Sequence, residues 1–276
     1  MTTDTTPDST PEPESGQTPE SGPHTSQNPG TGTTPNHTTD GGPDNGTRHA
    51  AHAASSDEPL RVTVAPHPLL RPVAFLSRFS RPLGQESTPP AVLDLLRLEA
   101  DAPIQRDEEH RLAVRDLLRH WGHKPAGRGK PAAEYLVRAV KRGELGSINL
   151  AVDICNVISL HSNHSIALMD LDLLQPPLRV DRGREGQSYT FNPSGQEMSL
   201  EGLICLFDAQ GPCANPVKDA QRVKTHEGTT RTLTIIWGVA GFGERLERAH
   251  QWYVQLLEEV GAEVDEVSVA LEGPEG

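Results

Sequence analysis

The sequence predicts an α+β fold. Segments with apolar residues at helical spacing concentrate between residues 91 and 160, and short alternating or apolar runs bounded by turn residues follow from residue 178 onward. That segregation argues for helices packed on a sheet and against a doubly wound alternation of strands and helices. A third observation delimits the folding unit. Residues 1–58 are rich in Thr, Pro, Gly and Ser, carry nine acidic residues against Arg48 alone, and have no Phe, Trp or Tyr. Such a segment buries too little apolar surface to offset the entropy of ordering, so it is expected to be a disordered tail that spaces or solubilises. Residues 59–276 are then expected to form a single α+β domain.

The elements follow in order. Leu60, Val62 and Val64 alternate as in a half-buried strand over 60–65, and 73–76 is a second strand, both limited by Pro66, Pro68 and Pro72. Residues 91–98 and 111–118 read as helices, the latter through Leu112, Val114, Leu117 and Leu118. Acidic residues at 107–109 favour its N-terminal dipole, and His120-Trp121-Gly122 ends it. Pro131 opens a helix over 132–141 that Gly143 closes. The run 148–160, INLAVDICNVISL, is almost wholly apolar and reads as a buried helix with Asn149 as its N-cap. A turn-rich stretch follows, then strands at 178–181, 188–191, 203–207 and 232–237. An amphipathic helix spans 244–260, with Leu246, Ala249, Tyr253, Leu256, Leu257 and Val260 on one side, and 264–271 alternates as a terminal strand.

Composition excludes several classes. The chain has 25 Lys and Arg against 38 Asp and Glu, a net charge of −13, but the tail holds much of the excess acid and the rest is nearly balanced. No apolar run approaches the roughly 18 residues of a membrane span, and the N-terminus has neither the basic nor the apolar region of a secretory signal. A cytoplasmic protein without membrane attachment is expected. Cys155, Cys205 and Cys213 form no C-x-x-C pair, which implies free thiols and no structural zinc site.

Several residues draw attention as candidates for chemistry. Asp153 and Asn156 lie three apart inside the apolar helix, and buried polar groups must find partners, either in a following loop or at the wall of a ligand pocket. His161 and His164 are spaced to share a metal, but no third ligand follows suitably, so no metal is expected. Asp170-Leu171-Asp172 reads as turn capping. Ten basic residues fall between Arg106 and Arg142. Arg111 and Arg115 share a helical face, and Lys124, Arg128 and Lys130 stand in a Gly-containing loop able to approach phosphates. The glycines of 238–243 shape a strand-to-helix turn. The nucleophile-elbow, P-loop, G-x-G-x-x-G and H-E-x-x-H patterns are all absent, and no cofactor is indicated.

Residues 131–174 resemble the start of the B3/B4 domain, the editing domain of the phenylalanyl-tRNA synthetase β subunit, and still more the freestanding B3/B4 proteins related to it. The resemblance rests on Arg138, Lys141 and Arg142, Ile148-Asn149, Val152-Asp153, Asn156, Ser159-Leu160 and Asp170-Leu171-Asp172, and it extends more weakly from Leu60 to the C-terminus. It implies helices covering a mostly antiparallel, multi-stranded sheet with a pocket between them, and a role in translation fidelity. The activity implied is hydrolysis in trans of a mischarged aminoacyl-tRNA ester, with aminoacylated tRNA as partner. An activated ester needs little more than a positioned water and donors for the oxyanion, so no side chain is assigned as catalytic. Cys155-Asn156 stand where the synthetase has Thr-Asn, Ala167 where many synthetases have His, and Gln221 where a Glu reads the tyrosine hydroxyl. The resemblance thus places Cys155, Asn156, Gln221 and Ala167 at the amino-acid pocket, with Asp153 positioning the helix or meeting the ammonium. Arg111, Arg115, Lys124, Arg128 and Lys130 are the candidate phosphate contacts. The alternative is a non-catalytic tRNA, RNA or amino-acid binding module with the same fold, and a third reading is a small-molecule hydrolase or sensor.

Overall fold

The computed structural model describes residues 59–273; the expected tail, 1–58, lies outside the described residues. Two sheets, a small hairpin and the helices packed on them make up the fold, which is α+β as expected. The first sheet contains β1 (Arg61–Val64), β4 (Leu178–Arg182), β7 (Ile204–Asp208), β8 (Gly211–Ala214) and β11 (Ser268–Leu271), in the order β11-β1-β4-β7-β8. Pairing is parallel from β11 to β4, with Val62 opposite Val269 and Leu178, and antiparallel from β4 to β8. The second sheet, order β10-β2-β9-β3, is antiparallel throughout and holds β2 (Val73–Arg78), β3 (Ile166–Asp170), β9 (Arg231–Ile236) and β10 (Glu263–Glu266). A separate hairpin pairs β5 (Ser188–Thr190) with β6 (Glu197–Ser199).

Alternation along the second sheet sorts its side chains into two cores. Phe75, Ile166 and Ile236 pack with α4 (Leu150–Ser162) and α5 (Gly243–Glu259), whereas Ala74, Ala167, Met169, Leu233 and Ile235 join Val62, Val64, Val180 and Leu206 of the first sheet. Val114, Leu117 and Leu118 of α2 (Glu108–Arg119) belong to that second core. Asp107 caps α2 by accepting from the Glu109 N–H, and buried His110 takes the inward place expected of Leu112, which is exposed. The amphipathic α3 (Ala132–Lys141) has the predicted bounds. Asn149 caps α4 as expected, accepting from the Val152 N–H at 3.0 Å.

Three expectations need correction. The helix expected over 91–98 is a single turn, α1 (Pro90–Asp94), because Leu95 and Leu96 continue with tight bonds to Val92 and Leu93. The expected terminal strand is two strands in different sheets. Val267 between them is buried and donates its N–H to the Ala74 carbonyl, and the apolar alternation breaks there, Val264 packing with one core and Val267 and Val269 with the other as the chain changes sheet. Strands β3, β6 and β8 were not anticipated. Pro212 disguises β8, which as an edge strand tolerates a residue without an N–H.

Candidate functional site

A cleft of about 440 Å³ opens where α3 faces α4. Ser159 of α4 stands one turn beyond Cys155 and Asn156, and the three form one wall. Ala132, Tyr135 and Leu136 of α3 form another, and Ile166, Val217, Lys218 and Lys224 close it. Helix α4 can present this stripe because the rest of its circumference is committed to the core, with Ile154, Val157 and Ile158 fully buried. Cys155 is nearly sealed from solvent, and burial pushes its thiol up to about 12, so it is a weak neutral donor and not a thiolate. Asn156 is half-buried and lines the cleft.

Asp153 does not join them. Its carboxylate is fully buried and accepts from Thr88 Oγ1 at 2.6 Å, Ser147 Oγ at 2.5 Å and the Ile148 N–H at 2.9 Å. It therefore ties two loops to the start of α4. Ala167 points away from the cleft, into the core between the sheets, opposite Ile235; its neighbour Ile166 faces the cleft. Gln221 begins a 3-10 turn, Gln221–Val223, and its Oε1 is buried without a hydrogen-bond donor. It is not among the residues that wall the cleft, whereas Lys224, which caps the same turn, is. Arg222 on that turn grips Asp208 through both guanidinium nitrogens, at 2.9 and 2.7 Å, and fixes the turn to the end of β7.

Sequence reasoning missed Tyr135, which lies on α3 without any mark in the helical pattern to distinguish it, and Lys218, Asp219 and Lys224, since no periodicity marks a loop side chain. Asp219 Oδ2 accepts from the Leu168 N–H on the free edge of β3, at 3.3 Å, while Oδ1 is sealed from solvent without a donor. Burial pushes this carboxyl up to about 7, opposed by the Leu168 N–H and by Lys224. Lys224 donates to the Phe191 carbonyl at 2.6 Å, and burial holds its ammonium below the usual lysine range.

A second, larger hollow of about 660 Å³ lies beside the cleft. Trp121, His123, Lys124 and Arg128 line it from the α2–α3 connection, Phe191 and Met198 from the hairpin, and Lys218 from the loop that also walls the cleft. His123 bonds the Gly129 carbonyl at 2.8 Å, bracing the basic loop. A Cβ at Gly129 would stand 2.7 Å from that imidazole and would displace it from this bond. Lys124 and Arg128 thus share a concave, aromatic-walled surface. Lys130 is half-buried outside it. Arg111 and Arg115 are engaged elsewhere. Arg115 forks onto Glu134 at 2.5 and 2.6 Å, and Arg111 reaches both Glu134 and Glu108, clasping α2 to α3.

The two histidines of the H-x-x-H pair diverge. His161 bonds the Leu95 carbonyl at 2.8 Å and packs on Trp252, while His164 packs edge-on against His110 at 4.3 Å. Among the described residues no group of three or more His, Cys, Asp or Glu is placed to hold a metal, and no helix is long and apolar enough to cross a membrane. Asp170 caps the turn after β3 by accepting from the Asp172 N–H at 2.8 Å.

Residues 125–249 match the family model of the B3/4 domain. This stretch is B3/4-like and makes up less than half of the chain. The match begins at the basic loop and ends within α5, so it contains every wall residue of the cleft. Among solved structures, the chain is similar to an N-terminal fragment of the phenylalanyl-tRNA synthetase β subunit from Pyrococcus horikoshii. Identity is 13%, the TM-score 0.46, and coverage 77% of this chain and 52% of that one. It is also similar to a TILS C-terminal domain, at 15% identity and TM-score 0.25, covering 28% of this chain and 72% of that one. The chain spans about half the length of the synthetase fragment. No curated protein matches it.

Proposed function

We propose that this protein binds aminoacyl-tRNA and hydrolyses the ester of a mischarged species in trans, with residues 59–276 acting as one domain and the tail as a spacer. The observation that carries the reading is the adjacency of the two hollows. A mostly apolar cleft of amino-acid size, with Cys155 and Asn156 in its wall, adjoins through Lys218 a groove walled by Trp121 and Phe191 in which Lys124, Arg128, Arg182 and Lys218 outnumber Glu197 and Glu201. An aminoacyl group would occupy the cleft and the RNA end the groove, with Lys124 and Arg128 against phosphates. An aminoacyl ester is already activated. The protein has to hold the carbonyl and a water in attacking geometry and place a donor where negative charge develops, and the Asn156 carboxamide supplies such a donor. The apolar wall of Leu136, Ile166 and Val217 would select the side chain by fit.

The test uses the full chain and a panel of mischarged aminoacyl-tRNAs. Loss of amino acid from at least one pair should exceed the buffer rate, and Asn156→Ala should lower that rate by about 10- to 100-fold. Rates equal to buffer for every pair would refute the enzyme reading. The second reading, a non-catalytic binding module, is favoured by the weakly acidic thiol of Cys155 and by a cleft walled by cations without a carboxylate. Salt-dependent retention of tRNA without deacylation would select it.

A further inference from the structure

Of the residues that wall the two hollows, Lys218 is common to both. Its backbone is held at both ends. The N–H donates to Asn215 Oδ1 at 2.9 Å, and the carbonyl accepts from the Tyr189 hydroxyl at 2.5 Å. Asn215 is itself fully engaged, accepting also from the Val217 N–H and donating to the Tyr189 oxygen. The ammonium lies 4.0 Å from the centroid of the Phe191 ring and 5.3 Å from that of Tyr135, so two π faces fix where the charge sits. Burial holds its pKa below the usual lysine value, and the charges that bear on it add to this because they are themselves positive, Arg128 from the groove and Lys224 from the cleft. The neighbouring carboxyl, Asp219, is turned to the β3 edge. Three cations thus converge on a passage whose position is set by a rigid loop; Glu197 and Glu201 line the same hollow but neither pairs with Lys218, so the arrangement is completed by an anion.

The chemistry of the proposed substrate restricts what that anion is. In an aminoacyl ester the carboxyl is esterified and the amine is neutral or positive, so the anions nearest the reacting end are backbone phosphates. We infer that Lys218 is a positioning residue that holds the phosphate of the terminal nucleotide at the passage, so that whatever is esterified to that nucleotide enters the cleft. The inference rests on the tRNA reading above and deepens it. Trp121, in the wall of the same hollow, offers the terminal base a stacking surface.

The experiment uses uncharged tRNA, which has no ester, so its outcome is independent of hydrolysis. Binding of the full chain to an intact tRNA and to the same tRNA lacking its 3′-terminal nucleotide is measured across a salt series, for the wild type, Lys218→Gln and Lys218→Arg. Lys218→Gln should weaken binding of intact tRNA about tenfold and lower the slope of log Kd against log salt by about one, and Lys218→Arg should restore most of both. The shortened tRNA should bind wild type and Lys218→Gln alike. Unchanged affinity and slope for intact tRNA in Lys218→Gln would overturn the inference even if deacylation is found. Equal weakening toward both RNAs would overturn the assignment to the terminal nucleotide. Absence of tRNA binding by the wild type would overturn the inference together with the reading beneath it. Unchanged thermal unfolding of Lys218→Gln excludes misfolding as the cause.

Discussion

Replacing Asp219 by Asn should change how stability depends on pH, and the size of the change follows from the carboxyl's surroundings. Burial raises this group from its ordinary 3.8 to about 7. Between those values the native state retains a proton that the unfolded chain has released, so stability falls as pH rises. The contribution is fully present below about 4 and gone above about 7. Each pH unit within the window corresponds to about 1.4 kcal/mol, so pH 5 to pH 8 spans a loss of about 2 to 3 kcal/mol. Buried histidines act in the same window with the opposite sign. Burial lowers His67 and His110 to about 4 and His164 well below its usual value, so their stabilisation holds above the unfolded value near 6.5 and is lost as pH falls. Those terms are common to both proteins and cancel in the difference between them. Asn keeps an acceptor for the Leu168 N–H and cannot ionise. Urea unfolding of both proteins at pH 5, 6, 7 and 8 should therefore show Asp219→Asn gaining about 2 to 3 kcal/mol on the wild type across the series. A difference that stays constant with pH would refute the burial of this carboxyl.

Three further outcomes follow from named contacts. Asp153→Ala leaves Thr88, Ser147 and Ile148 without their shared acceptor and should cost about 3 kcal/mol in urea unfolding, consistent with a loop anchor. Arg115→Met removes the two-pronged partner of the half-buried Glu134 carboxylate and leaves it Arg111 alone, which should cost about 1 to 2 kcal/mol while leaving tRNA affinity unchanged; Lys124→Gln and Arg128→Gln should do the reverse, weakening tRNA and lowering its salt slope without loss of stability. The thiols of Cys155, Cys205 and Cys213 are all raised by burial, so a thiol reagent at pH 8 should label them only in step with unfolding; fast labelling of the native chain would contradict the packing around α4.

What the sequence made legible tracks how local the determining physics is. Asn149, the apolar run behind it and the stripe on α5 act within a few residues of themselves, and the helices they specify stand where expected. The β3, β6 and β8 strands depend on partners far along the chain, and Pro212 actively misleads. The same contrast governs the site. Asn156 and Cys155 are visible as polar interruptions of a buried helix, but the pattern cannot say which way such a residue turns. A helical step of three residues leaves Asp153 about 60° from Asn156, enough to send one into a loop anchor and the other to the cleft. Lys218 and Lys224 belong to a loop whose course is set by tertiary bonds, and nothing in their immediate neighbours distinguishes them from solvated lysines.

That loop is where fold and site become one mechanical object. Its course from 215 to 224 is fastened by the Asn215 carboxamide and the Tyr189 hydroxyl at one end and by the Arg222–Asp208 fork at the other. Between these fastenings the Asp219 carboxylate caps an N–H on the otherwise unpaired edge of β3. An exposed sheet edge invites pairing with another chain, and covering it with an anchored loop removes that hazard. The cover also fixes the two lysines whose charges face the cleft, because a side chain can be no better placed than the backbone that bears it. Buried carboxyl, blocked strand edge and oriented cations are therefore a single solution. A change that loosens the loop, such as loss of the Arg222 fork, should disperse Lys218 and Lys224 before it unfolds either sheet.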